Sequence, residues 1–142
     1  MATSNAATTY LEHKILDFLF KNNSSSFATP GNSIYVGLAT AVSNAEAGTL
    51  TEATFGSYAR QQVQASGWTL ASSSTDQQTV TNAANIEFPA STGTSNTVTH
   101  AFIVDAASSG NILFIGALDA NKTIATGDIF RINAGNLTIE LK

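Results

Sequence analysis

Between Thr97 and Leu118 the chain reads TVTHAFIVDAASSGNILFIGAL, two apolar runs joined by a short polar link. In the first run Val98, His100, Phe102 and Val104 share one face, and Thr97, Thr99, Ala101 and Ile103 share the other. That period of two is the mark of a strand. Ala106 to Asn111 supplies small residues and a Gly-Asn pair tolerant of positive φ, so the chain can reverse there. Ile112 to Leu118 is almost continuously apolar, which predicts a central strand covered on both faces and a hairpin on which the rest packs.

The pattern turns clearly helical near the N-terminus. Leu11, Ile15, Phe18 and Leu19 fall on one face, Leu16 and Phe20 widen it, and Glu12, His13, Lys14 and Asp17 take the remainder. Thr9 with Glu12 fits a capping box at the start, and Asn22 to Ser26 ends the helix beside Lys21. So broad an apolar face needs a large cover. The open side of the chain's own sheet is expected, with a subunit contact as the alternative. Met1 to Thr8, polar and Ala-rich, reads as an arm that a partner could order.

Further along, Ser33 to Ala39 is a buried strand and residues 40–56 a long Ala-, Gly- and Thr-rich loop. Ser57 to Ala65 is a polar strand. Thr79 to Thr81 and Ala84 to Phe88 are short strands, the latter closed by Pro89. Asp119 to Lys122 is a turn before a brief strand, Thr123 to Ala125; Ile129 to Asn133 and Leu137 to Leu141 follow as strands. Short strands with frequent turns predict a mainly β fold: an antiparallel β-sandwich or barrel-like domain with one N-terminal amphipathic helix packed on it. The expected organisation is an N-terminal arm, 1–8, and a single β-rich domain, 9–142.

Charge changes the picture. Only 11% of the 142 residues are charged, against about a quarter in ordinary globular chains. Polarity comes instead from Ser, Thr, Asn and Gln. Such a surface suits contact with neighbours, where desolvating charge is costly, and equally a plain domain with a neutral coat. A net charge of −4, with six Lys and Arg and no basic run, argues against nucleic acid as a partner. No stretch approaches the ~20 apolar residues of a membrane span, and none has the make-up of a signal peptide. Without Cys there are no disulfides or thiolate sites, which fits assembly in a cytoplasm.

The parts for catalysis are few. A nucleophile–base–orienter set needs a histidine, and only His13 and His100 exist. His13 sits on the polar side of the helix; His100 points with Val98 and Phe102 and reads as a core or interface histidine. Asp105, Asp119 and Asp128 lie at strand ends or turns, where Asp bonds nearby backbone. Glu87 alternates with Ile86 and Phe88 and should be exposed or facing a neighbour. Gly31, Gly37 and Gly56 are isolated, so no phosphate-cradling loop is visible. No catalytic, cofactor-binding or metal-ligating residue is assigned, and no cofactor is expected.

Taken in order, YLEHKILDFLF, IYVGLATAVSNAEAGTLTE, GSYARQQV, NAANIEFPAST, VTHAFIVDAASSGNILFIGAL and KTIATGDIFRINAGNLTIEL resemble a family of small tailed-bacteriophage virion structural proteins. The Gln- and Ser-rich middle, Gln61 to Thr79, departs from it. Members are described as tail-fibre or structural proteins, and small virion proteins of this sort also decorate capsids. The resemblance implies a non-enzymatic component of the virion. The first expectation is a capsid decoration (cement) protein stabilising the head against the major capsid protein. It would be a homo-oligomer, with a trimer at local threefold positions as the model, using residues 1–9 and 40–56 as sideways contacts. The alternative is a tail-fibre or baseplate component touching other tail proteins or the host surface. A third reading, a carbohydrate-binding module or small enzyme, would need exposed aromatics, for which Trp68, Tyr35 and Tyr58 are the candidates.

Overall fold

In the computed structural model, which describes residues 6–23, 34–71 and 79–141, the chain forms eleven strands and one α-helix. They run in the order β1 (Ala6–Ala7), α1 (Thr9–Phe20), β2 (Tyr35–Asn44), β3 (Thr49–Glu52), β4 (Gln61–Gln62), β5 (Trp68–Leu70), β6 (Thr79–Asn82), β7 (Ile86–Glu87), β8 (Asn96–Val104), β9 (Ile112–Ile124), β10 (Arg131–Ile132) and β11 (Thr138–Glu140). One antiparallel sheet has the order β1-β9-β8-β2-β3, with β4 joining β2 beside Tyr35 and Val36. β7 pairs with β10, and β6 lies between β5 and β11. The mainly antiparallel β class with a single N-terminal helix is therefore the architecture the pattern predicted.

The main core lies where the small sheets meet one face of the large one. Val36 and Leu38 of β2 and Ala101 and Ile103 of β8 pack there with Phe55, Ile86, Phe88 and Ile132. Rings continue the core: Phe55 meets Tyr58 edge-on at 5.2 Å, Tyr58 stacks on Phe88 at 6.1 Å, and Phe88 meets Phe130 edge-on at 5.8 Å. On the opposite face Phe102, Val104, Ala39 and Ile115 form a second, smaller cluster.

The strands covered on both faces are β2 and β8, buried without a break over 36–39 and 101–104, and not the apolar run of β9. β9 lies one place from the edge: β1 pairs only with Phe114 and Ile115, and Leu113, Phe114 and Leu118 stay partly exposed. Apolarity measures how much surface is kept from water, not which sheet position keeps it. The alternation predicted for β8 also breaks. Val98 packs with Ala101 and Ile103, while Phe102 and Val104 belong to the other cluster. The pairing jumps there from Val98–Lys122 to His100–Ala117, so residues 118–121 stand opposite Thr99 alone. The predicted turn at Asp119 is thus a wide bulge inside one long strand.

The expected long loop, 40–56, is a hairpin of β2 and β3. Asn44 Oδ1 accepts the Ala47 amide, the Gly48 amide donates to Ala45 O, and Gly48 takes the left-handed φ of 68° that closes the turn. Two register shifts between β2 and β3 spoil the period of two that would have revealed it. Of the predicted strand 57–65 only Gln61–Gln62 pairs, and Ala65–Gly67 is a 3-10 turn. The helix is capped one residue earlier than expected. Thr8 is extended, and its Oγ1 accepts the Leu11 amide at 3.3 Å. Asn22, at φ 52°, stops the helix as its position suggested. Ala6 and Ala7 of the expected arm form β1, whereas residues 1–5, the serines 24–26 and the 72–76 turn lie outside the described residues.

Candidate assembly surface

α1 is anchored by its first turn. The Thr8 amide donates to Leu113 O and the Thr8 hydroxyl to Ile112 O, while the Thr9 amide reaches Glu46 O in the β2–β3 turn. Leu11 is buried and Ile15 partly so. Leu16 still lines the neighbouring groove, and Leu16, Phe18, Leu19 and Phe20 are exposed, Leu19 by 63% and Phe20 by 77%. The sheet covers only the start of a face expected to be covered throughout. What remains at Leu16, Leu19 and Phe20 is roughly 300–400 Å² of apolar surface, comparable to the largest patch on an ordinary monomer, which is often functional.

Beside the helix an open groove of about 1240 Å³ runs between α1, β9 and β11. Buried Ala101 and Ile103 form its floor, and Phe114, Leu118, Ile139 and Leu141 its walls. It exceeds the roughly 300–1,000 Å³ of small-molecule pockets. Glu12, Glu46, Asp119 and Glu140 also line it, and no Lys or Arg does so among the described residues. The surface therefore pairs a projecting apolar knob with an acid-rimmed apolar trough.

On the far side of the sheet a polar node ties three segments together. Arg60 binds Glu52 through Nε and Nη2, both at 2.8 Å, and donates through Nη1 to Ala106 O and Ser109 O in the β8–β9 turn. Tyr58 donates to Glu52 Oε1 at 2.8 Å and accepts the Leu38 amide. Burial alone would raise the Glu52 pKa, but the bonds from Arg60 and Tyr58 outweigh it and hold the carboxyl below its ordinary value. Burial and the neighbouring carboxylate push the Tyr58 hydroxyl up. Because the Glu52 carboxyl is more acidic folded than unfolded, its stabilisation is complete above the unfolded pKa of about 4.3 and is lost as pH falls through the lower folded value. Glu52→Gln should therefore cost about 2 kcal/mol at pH 7, and its urea midpoint should converge on wild type as pH falls below the ordinary carboxylate range. A gap that stayed constant with pH would remove the assignment.

The sequence candidates for chemistry are dispersed. His13 is exposed on α1; His100 bonds the Thr99 hydroxyl through Nδ1 at 2.7 Å, and burial lowers its pKa. Asp105 accepts from Asn111 and Asp128 from the Ala125 amide, the local backbone role their positions suggested. Glu87 is exposed and pairs with Arg131 across β7 and β10. Asp119 is exposed within the bulge, Gly37 and Gly56 sit in tight packing, and Gly31 lies outside the described residues. Trp68 packs on the main core, Tyr35 on the second cluster, and Tyr58 in the node, so none offers an open ring platform. Among the described residues no group of three or more His, Cys, Asp or Glu could hold a metal ion. The Glu52–Arg60 pair was not visible in sequence: no spacing rule links residues joined only by the turn between β3 and β4.

No curated protein matches the chain. Its residues 6–140 match the family model described as podophage GP4 fiber I protein gp80, a span that takes in the helix and every strand of the described residues. The chain therefore belongs to that family of bacteriophage virion structural proteins.

Proposed function

We propose that the protein is a non-enzymatic, fibre-type component of a podophage virion, which works by burying surface against other virion proteins. The observation that carries this reading is the apolar end of α1 beside the acid-rimmed groove, in a chain whose family is described by a fibre protein. An apolar helix end left in water is unfavourable by roughly 25 cal/mol per Å², and assembly removes that cost. The same description supports the tail-fibre alternative over the capsid-cement reading that the sequence put first. Partners are then other tail or fibre proteins, and the protein's place is the assembled particle.

Stoichiometry decides the location. Quantitative mass spectrometry of purified particles should find copies in the number of a tail appendage, and gold-labelled antibody should mark the tail. Hundreds of copies spread over the head would reinstate capsid decoration and remove this proposal.

A further inference from the structure

We propose that the groove receives the projecting end of α1 from a second copy of this chain. The inference rests on the reading of α1 and the groove as an assembly surface and names the occupant of that surface. Knob and trough are parts of one molecule that cannot satisfy each other internally. The first turn of α1 is pinned to β9 and to the β2–β3 turn, which sets Glu12, Ile15 and Leu16 along the chain's own groove and leaves Leu19 and Phe20 exposed and outside its lining. A second copy brings the complementary half.

Charge selects the same occupant. The chain holds ten Asp and Glu, and four of them line this one groove. An acid-rimmed apolar trough favours an apolar segment that ends in a cation. The end of α1 is such a segment: Leu19 and Phe20 followed by exposed Lys21. The acid assigned to Lys21 is Asp119, which is exposed in the β9 bulge and lines the groove. Such a contact closes either as a twofold pair or as a small ring.

The full chain in sedimentation equilibrium gives the test. Wild type should exceed its monomer mass of 14.7 kDa. Phe20→Asp should weaken association about 30-fold or more, as for a central anchor residue. Because Phe20 is exposed, the substitution leaves the fold intact, which circular dichroism verifies. Lys21→Glu and Asp119→Lys should each weaken association, and the double variant should recover it. Leu70→Asp, at another exposed apolar residue away from the groove, should associate as wild type. A monomeric wild type, as expected if another virion protein or residues 24–33 fill the groove, would overturn the proposal. So would undiminished association of Phe20→Asp, or a double charge reversal without recovery. A monomer that still enters the tail would remove this interface and leave the virion role standing.

Discussion

Replacing Gly37 with alanine is expected to destabilise the protein by about 3 kcal/mol and lower its Tm by roughly 10 °C. Gly37 lies on central strand β2, directly opposite Phe102 of β8. The tip of the Phe102 ring occupies the space a side chain would need: a Cβ on Gly37 would fall 2.3 Å from Phe102 Cζ and 2.7 Å from both Cε atoms. The ring has little room to retreat. It is 1% exposed, and the Arg60 guanidinium lies over it, 5.4 Å from its centre. Arg60 in turn is held by Glu52 and the β8–β9 turn, with its side chain 8% exposed. A single methyl group therefore presses on the second cluster and on the polar node together. The coupling is testable by a double-mutant cycle with Phe102→Leu, which removes the ring. Phe102→Leu should cost less in the Gly37→Ala background than in wild type. Strict additivity would mean that the ring moves freely, and the explanation would fail.

Asn82→Ala should cost a similar amount, about 3 kcal/mol, and loosen the C-terminal strand first. Asn82 ends β6 and is 1% exposed. Its Nδ2 donates to Ala84 O at 2.8 Å and to Asn133 O at 2.9 Å, and its Oδ1 accepts the Leu137 amide at 2.9 Å. Its backbone adds a bond to Leu137 O and accepts one from the Gly135 amide. One amide side chain thus fixes the turn between β10 and β11, whose strands belong to different sheets. Alanine leaves a part-buried amide donor and two carbonyls without the Asn82 side chain, at about 1–3 kcal/mol for each group that water does not reach. Water entering the vacated space recovers part of this. Hydrogen exchange at the Leu137 amide should accelerate more than exchange along β2 and β8, and urea unfolding should shift by roughly 2 M. Native protection at Leu137 in the variant would contradict this role.

Local chemistry was readable wherever a residue acts on its own neighbours. The helix and its stop at Asn22, the reversal at Ser109-Gly110, and the backbone-bonded Asp105 and Asp128 all follow from rules a few residues long. The mainly antiparallel class followed from many short runs between turns. Errors collected where pairing departs from a strict period: the shifts between β2 and β3 hid a hairpin, and the bulge in β9 made one strand look like a strand, a turn and a second strand.

Sequence by itself therefore determined the mainly β class with its one N-terminal helix and the local caps and turns, because propensity, capping and turn formation depend on adjacent residues. Only the tertiary structure decided which apolar residues are covered. Leu11 and Phe20 lie on the same helix, yet one is buried and the other 77% exposed: nine residues apart they stand on opposite sides of it, and anchoring at Thr8 fixes which side meets the sheet. It also decided that Gly37 must stay small and that Asn82 must stay an amide. Both requirements come from groups distant in the chain, Phe102 for one and Asn133 with Leu137 for the other, brought within contact by strand pairing.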